Sequence, residues 1–160
     1  MEKLSRRIGE ALAAKSHLLA TAESCTGGWI AQVVTSVAGS SGWFERGFVT
    51  YSNEAKQEAL GVKAETIRRF GAVSEETARE MAEGALQASR ATVALSVTGI
   101  AGPGGGSPGK PVGTVCFAWA RKGAPARSET RHFAGERDAV RRQSVVHALE
   151  GLLAHLDSPG

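Results

Sequence analysis

The sequence has little of what several common function classes require. Its 160 residues include two cysteines, Cys25 and Cys116, which form neither a CxxC pair nor a Cys/His ligand spacing. A disulfide scaffold and a structural zinc site are therefore excluded, and both thiols are expected in the reduced form. Aspartate is nearly missing, since 14 of the 16 acidic residues are glutamate and only Asp138 and Asp157 remain. This excludes an EF-hand loop and an aspartyl dyad, and it leaves little material for a two-metal phosphoryl-transfer site. The four histidines, His17, His132, His147 and His155, form no i, i+4 ligand pair, so no metal site is expected.

No apolar run approaches the roughly 18 residues of a membrane span. The N-terminal stretch MEKLSRRIGEALAAK lacks a signal peptide's apolar centre and cleavage site. A cytoplasmic protein with no membrane partner is expected. The 19 basic residues give a net charge of +3 but are spread along the chain, and aromatics make up only 6% of it. Nucleic-acid binding is accordingly not expected, and the one basic cluster, Arg137, Arg141 and Arg142, reads as a solvated helix face.

What is present is the composition of an ordinary globular protein, 42% apolar and 22% charged. One domain over residues 1–160 is expected, long enough to bury a core without a covalent or metal staple. Leu4, Ile8, Ala11 and Leu12 have helical spacing, and 18–23 reads as a short buried strand. A second helix is expected from Thr26 to Val37, with Thr26 as its cap. A loop at 38–43 leads to a strand at 44–52, then helices at 53–60 and 64–70. Ser74 opens the most regular helix, with Ala78, Met81, Ala82, Ala85 and Leu86 on one face.

Residues 91–97 are apolar on both faces, as a central strand requires, and run into the glycine-rich stretch 98–113. Strands at 114–120 and 126–133 follow, joined by a hairpin-like turn, and a helix from about Glu136 to Leu156 closes the chain. Helices alternating with buried strands predict an α/β fold, a three-layer α/β/α domain. Its central sheet is expected to be mixed and mainly parallel, parallel in the middle and finished by an antiparallel pair. In such sheets ligands bind beyond the carboxyl ends of the strands.

Three of those ends carry unusual residues: Glu23 to Gly28, Tyr51 to Asn53, and Thr98 to Gly102. Ser24 falls between a strand and a helix, where unpaired N–H groups can stabilise an oxyanion, so it is either a nucleophile or a structural cap. With no histidine and aspartate well placed for a triad, the better base is Lys56. It follows Tyr51 by five residues at a helix start, where burial would lower its pKa; the other reading is a solvated lysine. Cys25 is a rival nucleophile or a packing residue. The glycine-rich loop either cradles an anion with its amides or is a crossover turn, and it matches neither GxxxxGK[ST] nor GxGxxG.

Six ordered motifs, TAESCTGG (21–28), VTYSNEAK (49–56), GAVSEETAREMAEGA (71–85), SVTGIAGPGGG (96–106), KPVGTV (110–115) and FAGERDAVR (133–141), resemble the CinA C-terminal domain family. That domain also occurs alone as nicotinamide-nucleotide amidohydrolase. The resemblance implies hydrolysis of the carboxamide of nicotinamide mononucleotide to nicotinate mononucleotide and ammonia, with no metal or cofactor, in a homodimer. It implies Ser24 as nucleophile, with Tyr51 and Lys56 as catalytic partners. Substrate is expected around Cys25, Thr26, Gly27, Gly28, Asn53, Thr98, Gly99, Ile100, Ala101, Gly102, Gly104, Gly105 and Arg137. The alternative is a non-catalytic nucleotide-binding module or an interaction domain in competence or DNA damage, for which the sequence shows no continuous basic or apolar face.

Overall fold

A computed structural model describes residues 1–158. In chain order the elements are α1 (Glu2–Ala14), β1 (Leu19–Glu23), α2 (Trp29–Thr35), β2 (Phe44–Val49), α3 (Asn53–Leu60), α4 (Ala64–Phe70), α5 (Glu75–Gln87), β3 (Val93–Gly99), β4 (Thr114–Arg121), β5 (Arg127–His132) and α6 (Arg137–Asp157). A single 3-10 turn, Ser40–Gly42, lies in the segment expected to be a loop. The helices expected at 53–60 and 64–70 match α3 and α4. Ser74, expected to open α5, stands just before it as its cap, its hydroxyl accepting a hydrogen bond from the Thr77 amide at 3.1 Å.

The five strands form one mixed sheet in the order β2-β1-β3-β4-β5. β1 pairs in parallel with β2 and β3, whereas β3–β4 and β4–β5 are antiparallel. The antiparallel part is therefore larger than the single closing pair expected, and the pairings divide evenly. The cause is the connections: helices carry the chain from β1 to β2 and from β2 to β3, but only the glycine-rich loop joins β3 to β4, so β4 returns alongside its predecessor.

Alternate side chains of the central strands feed two hydrophobic clusters. Leu19, Val93, Leu95, Val97, Val115, Phe117 and Trp119 pack with α1, α2 and α6. Ala20, Ala22, Ala94, Cys116, Ala118 and Ala120 pack with α5 and the end of α3. The second cluster is built largely of alanine, which lets the elements approach closely. At Gly84 of α5, a Cβ would lie 1.8 Å from the Leu60 carbonyl oxygen. Only glycine permits that contact, and it sets α3 against α5, which bears on the site because α3 carries Lys56.

β3 lies two residues later than expected and α2 ends two residues earlier, at Thr35; two further boundary differences bear on the site. β2 stops at Val49, leaving residues 50–52 as a turn into α3. α2 begins at Trp29, not Thr26, after Gly27 and Gly28 adopt φ of 60° and 99°. Thr26 does not cap it: its hydroxyl donates to the Glu23 carboxylate at 2.6 Å. Glu23 is the cap, accepting from the Ile30 amide at 2.9 Å and the Ala31 amide at 3.0 Å.

Candidate active site

The carboxyl ends of β1, β2 and β3 converge on Ser24. Its amide donates to the Val97 carbonyl of β3 at 3.0 Å, while the Thr50 amide donates to the Glu23 carbonyl at 2.9 Å. The sheet ladder thus reaches one residue past β1 and pins the backbone of the serine. Ser52 caps α3 by accepting from the Ala55 amide at 3.0 Å, which turns the first coil of α3 back over the strand ends. Lys56, in that coil, points inward and is only 1% exposed.

The Lys56 Nζ lies 3.0 Å from Ser24 Oγ, 2.9 Å from the Thr50 carbonyl oxygen and 3.2 Å from the Tyr51 carbonyl oxygen. A neutral amine has two hydrogens and one lone pair. Two carbonyls can take the hydrogens, leaving the lone pair to accept the serine proton, so the three partners suit a lysine that removes a proton from Ser24. Among the described residues Lys56 forms no salt bridge.

Burial lowers the Lys56 pKa from the ordinary lysine value, and a negative charge on Cys25 would raise it. That opposing contribution requires a thiolate, yet burial pushes the Cys25 thiol up to about 12. At neutral pH Cys25 is therefore a protonated, weakly reactive thiol, and desolvation of the lysine goes unopposed.

Ser24, Cys25, Tyr51, Asn53, Lys56, Thr98, Gly99, Ile100, Ala101, Gly102, Gly104, Gly105 and Arg137 line one cleft of about 270 Å³, together with Ala72 and Val73. The structure thus brings most of the expected residues together. Thr26, Gly27 and Gly28 do not line the cleft; they form the turn beside it. Tyr51 is 62% exposed, and its link to Lys56 is through its main-chain oxygen. Its hydroxyl accepts from Arg137 Nη2 at 3.1 Å, while Arg137 Nη1 donates to the Gly102 carbonyl at 2.8 Å. A Tyr51–Arg137–Gly102 bridge therefore joins the turn after β2, the start of α6 and the glycine loop at the cleft mouth.

Within the loop, the Ile100 amide is taken by the Thr114 carbonyl at 2.9 Å. The amides of Ala101, Gly102, Gly104, Gly105 and Gly106 reach no acceptor among the described residues, so they are available to an anion beside Arg137. Gly102 and Gly105 have φ of 87° and 94°, which alternates the direction of the peptide groups. The cleft lining contains no histidine, aspartate or glutamate, and no three His, Cys, Asp or Glu side chains gather as a metal site among the described residues.

Two residues near the serine escape sequence reasoning. Glu23 stands out only as part of an unusual strand end, because its acceptor role depends on amides seven and eight residues later. Arg141, placed on a solvated face, instead donates through Nε to the Cys25 carbonyl at 3.0 Å and through Nη2 to the Thr26 carbonyl at 3.3 Å. The available signal was its i, i+4 relation to Arg137, which sets both on one side of α6.

A larger cavity, about 610 Å³, lies between α5, β5 and the loop before β4. It has the volume but not the chemistry. Its cysteine, Cys116, is buried with its thiol pushed up by desolvation, and it pairs with the Thr130 hydroxyl at 3.5 Å. No base stands beside a nucleophile there.

The family described as CinA C-terminal domain matches residues 1–156. The chain is 57% identical over 150 residues to nicotinamide-nucleotide amidohydrolase PncC of Escherichia coli K12, covering 94% of this chain and 91% of that protein. It is 53% identical over 150 residues to the protein of the same name from Pseudomonas putida, covering 94% and 93%. Among solved structures, the competence/damage inducible protein CihA of Agrobacterium tumefaciens superposes with a TM-score of 0.93 at 49% identity, covering 98% of this chain and 95% of that one.

Proposed function

Since the chain belongs to the CinA C-terminal domain family over residues 1–156, we propose that it is a nicotinamide-nucleotide amidohydrolase. Its reaction hydrolyses nicotinamide mononucleotide to nicotinate mononucleotide and ammonia through an acyl-serine intermediate. The observation that carries the mechanism is the buried Lys56 amine 3.0 Å from Ser24 Oγ with two carbonyls as its other partners. A binding module has no use for a base held against a hydroxyl.

Lys56 takes the Ser24 proton as the oxygen attacks the carboxamide carbon. The lysine ammonium then gives that proton to the amide nitrogen, the C–N bond breaks and ammonia leaves. Water, deprotonated by Lys56, attacks the resulting ester, and the proton returns to Ser24 as the carboxylate product departs. Tyr51 meets Lys56 only through its main-chain oxygen, so the proton passes directly between lysine and serine, and the Tyr51 side chain instead anchors Arg137 beside the substrate. Arg137 and the open amides of 101–106 hold the phosphate.

Free nicotinamide, which lacks the phosphate, is expected to have a kcat/KM at least about 100-fold below that of its mononucleotide, corresponding to roughly 2.7 kcal/mol of transition-state binding. Ammonia release from both compounds checks this. Equal kcat/KM would remove the phosphate role from the glycine loop, and no release from either would remove the amidase reading. Activity should also survive exhaustive dialysis against a chelator, because the cleft lining holds no carboxylate or imidazole to anchor a divalent ion. Loss of ammonia release, restored by one added divalent ion, would contradict it.

A further inference from the structure

An oxyanion formed by attack of Ser24 needs N–H donors aimed at it from fixed positions. The first amides of α2 cannot serve, because that of Trp29 donates to the Thr26 carbonyl and the Glu23 carboxylate takes those of Ile30 and Ala31. In the turn itself, the Ser24 amide is committed to the Val97 carbonyl and the Gly27 amide to the Ser24 carbonyl. The two amides between them, of Cys25 and Thr26, reach no acceptor among the described residues apart from the Cys25 amide's contact with its own thiol. They are the first donors after the nucleophile; both residues are buried, and Cys25 is the one that lines the cleft.

Their directions are set by the opposite edges of the same peptide groups. In a planar trans peptide the C=O and the following N–H point in opposite directions. The Ser24 carbonyl is held by the Gly27 amide at 3.0 Å, which directs the Cys25 N–H away from that turn. The Cys25 carbonyl is held by Arg141 Nε at 3.0 Å, which directs the Thr26 N–H away from α6. Arg141 Nη2 also donates to the Thr26 carbonyl, so one rigid fork spans two successive carbonyls. The guanidinium is steadied by the Trp29 ring, 5.4 Å from its centroid, and by Asp138 at 3.8 Å.

Resting on the amidase reading above, we infer that Arg141 is a positioning residue: it fixes the Thr26 carbonyl, whose peptide group carries the Gly27 N–H that holds the Ser24 carbonyl, and so aims the Cys25 amide into the cleft as the oxyanion donor. A lysine is not equivalent, since its donors radiate from one nitrogen, whereas Arg141 reaches the Cys25 and Thr26 carbonyls from two separate nitrogens, Nε and Nη2, of a planar group.

The test compares wild type, Arg141→Ala and Arg141→Lys, with folding checked by circular dichroism. Misplacing this oxyanion donor should lower kcat by about 10²- to 10³-fold in both variants, with KM for the mononucleotide changed less than about threefold. Affinity for 3-pyridineboronic acid, which forms a tetrahedral adduct on a serine oxygen, should fall in step with kcat/KM. The pH at which kcat/KM rises should not move, and added methylguanidinium should partly restore Arg141→Ala. An active wild type with either variant at full kcat overturns the inference, as does a kcat loss with unchanged boronate affinity. A wild type that neither releases ammonia nor binds the boronate refutes the amidase reading, and the role of Arg141 falls with it.

Discussion

Ser24→Ala will fold normally and lose turnover by roughly four orders of magnitude or more, the scale seen when a nucleophile that works with a base is removed. Folding should survive because the side chain's contact is the single bond to Lys56, whereas the serine backbone is held by the Val97 carbonyl. Without Oγ, Lys56 keeps its two carbonyl partners. Cys25→Ala should be far milder, since burial holds that thiol protonated at neutral pH. Ammonia release and a thermal melt of both variants check the ranking. A fully active Ser24→Ala protein, or a Cys25→Ala protein that is the more damaged of the two, would move the nucleophile off the serine.

Lys56→Met should lose activity on a similar scale, and Lys56→Arg should not restore it, because arginine stays protonated and cannot accept the serine proton. The pH dependence follows from the direction of the shift. Burial disfavours the ammonium, so the amine is neutral at lower pH than the roughly 10.4 of an exposed lysine. In the wild type kcat/KM should therefore rise with pH through an ionisation below the ordinary lysine range and level off above it. The residual activity of Lys56→Met should lack that rise. Steady-state profiles of both proteins decide it: a fully active Lys56→Arg would make the residue a source of charge, not a base.

How much of this was legible beforehand depends on whether the cause was local. α3, α4 and α5 were readable because their caps and apolar spacing lie within a few residues. The start of α2 was not, because its cap is the Glu23 carboxylate and its boundary depends on two left-handed glycines. The direction of β4 was also hidden: an apolar run shows burial but not orientation, which the helix-free loop decides. Ser24 and Lys56 could be nominated separately, yet their contact spans 32 residues of sequence and requires β1 and β2 to be neighbours. Tyr51 shows the limit of spacing arguments, since its backbone meets the lysine while its hydroxyl turns to Arg137. Arg141 was misplaced because a helical basic cluster looks the same in sequence whether it faces water or a turn from a distant strand.

Amide cleavage through an ester on Ser24 leaves a covalent intermediate that can be trapped. Rapid acid quench of enzyme turning over nicotinamide mononucleotide, followed by peptide mapping, tests that route most directly. A nicotinate-mononucleotide acyl adduct is expected on Ser24 of the wild type, none on Ser24→Ala, and none on Cys25 in either. An adduct on Cys25, or ammonia release by Ser24→Ala at the wild-type rate with no adduct anywhere, would contradict it.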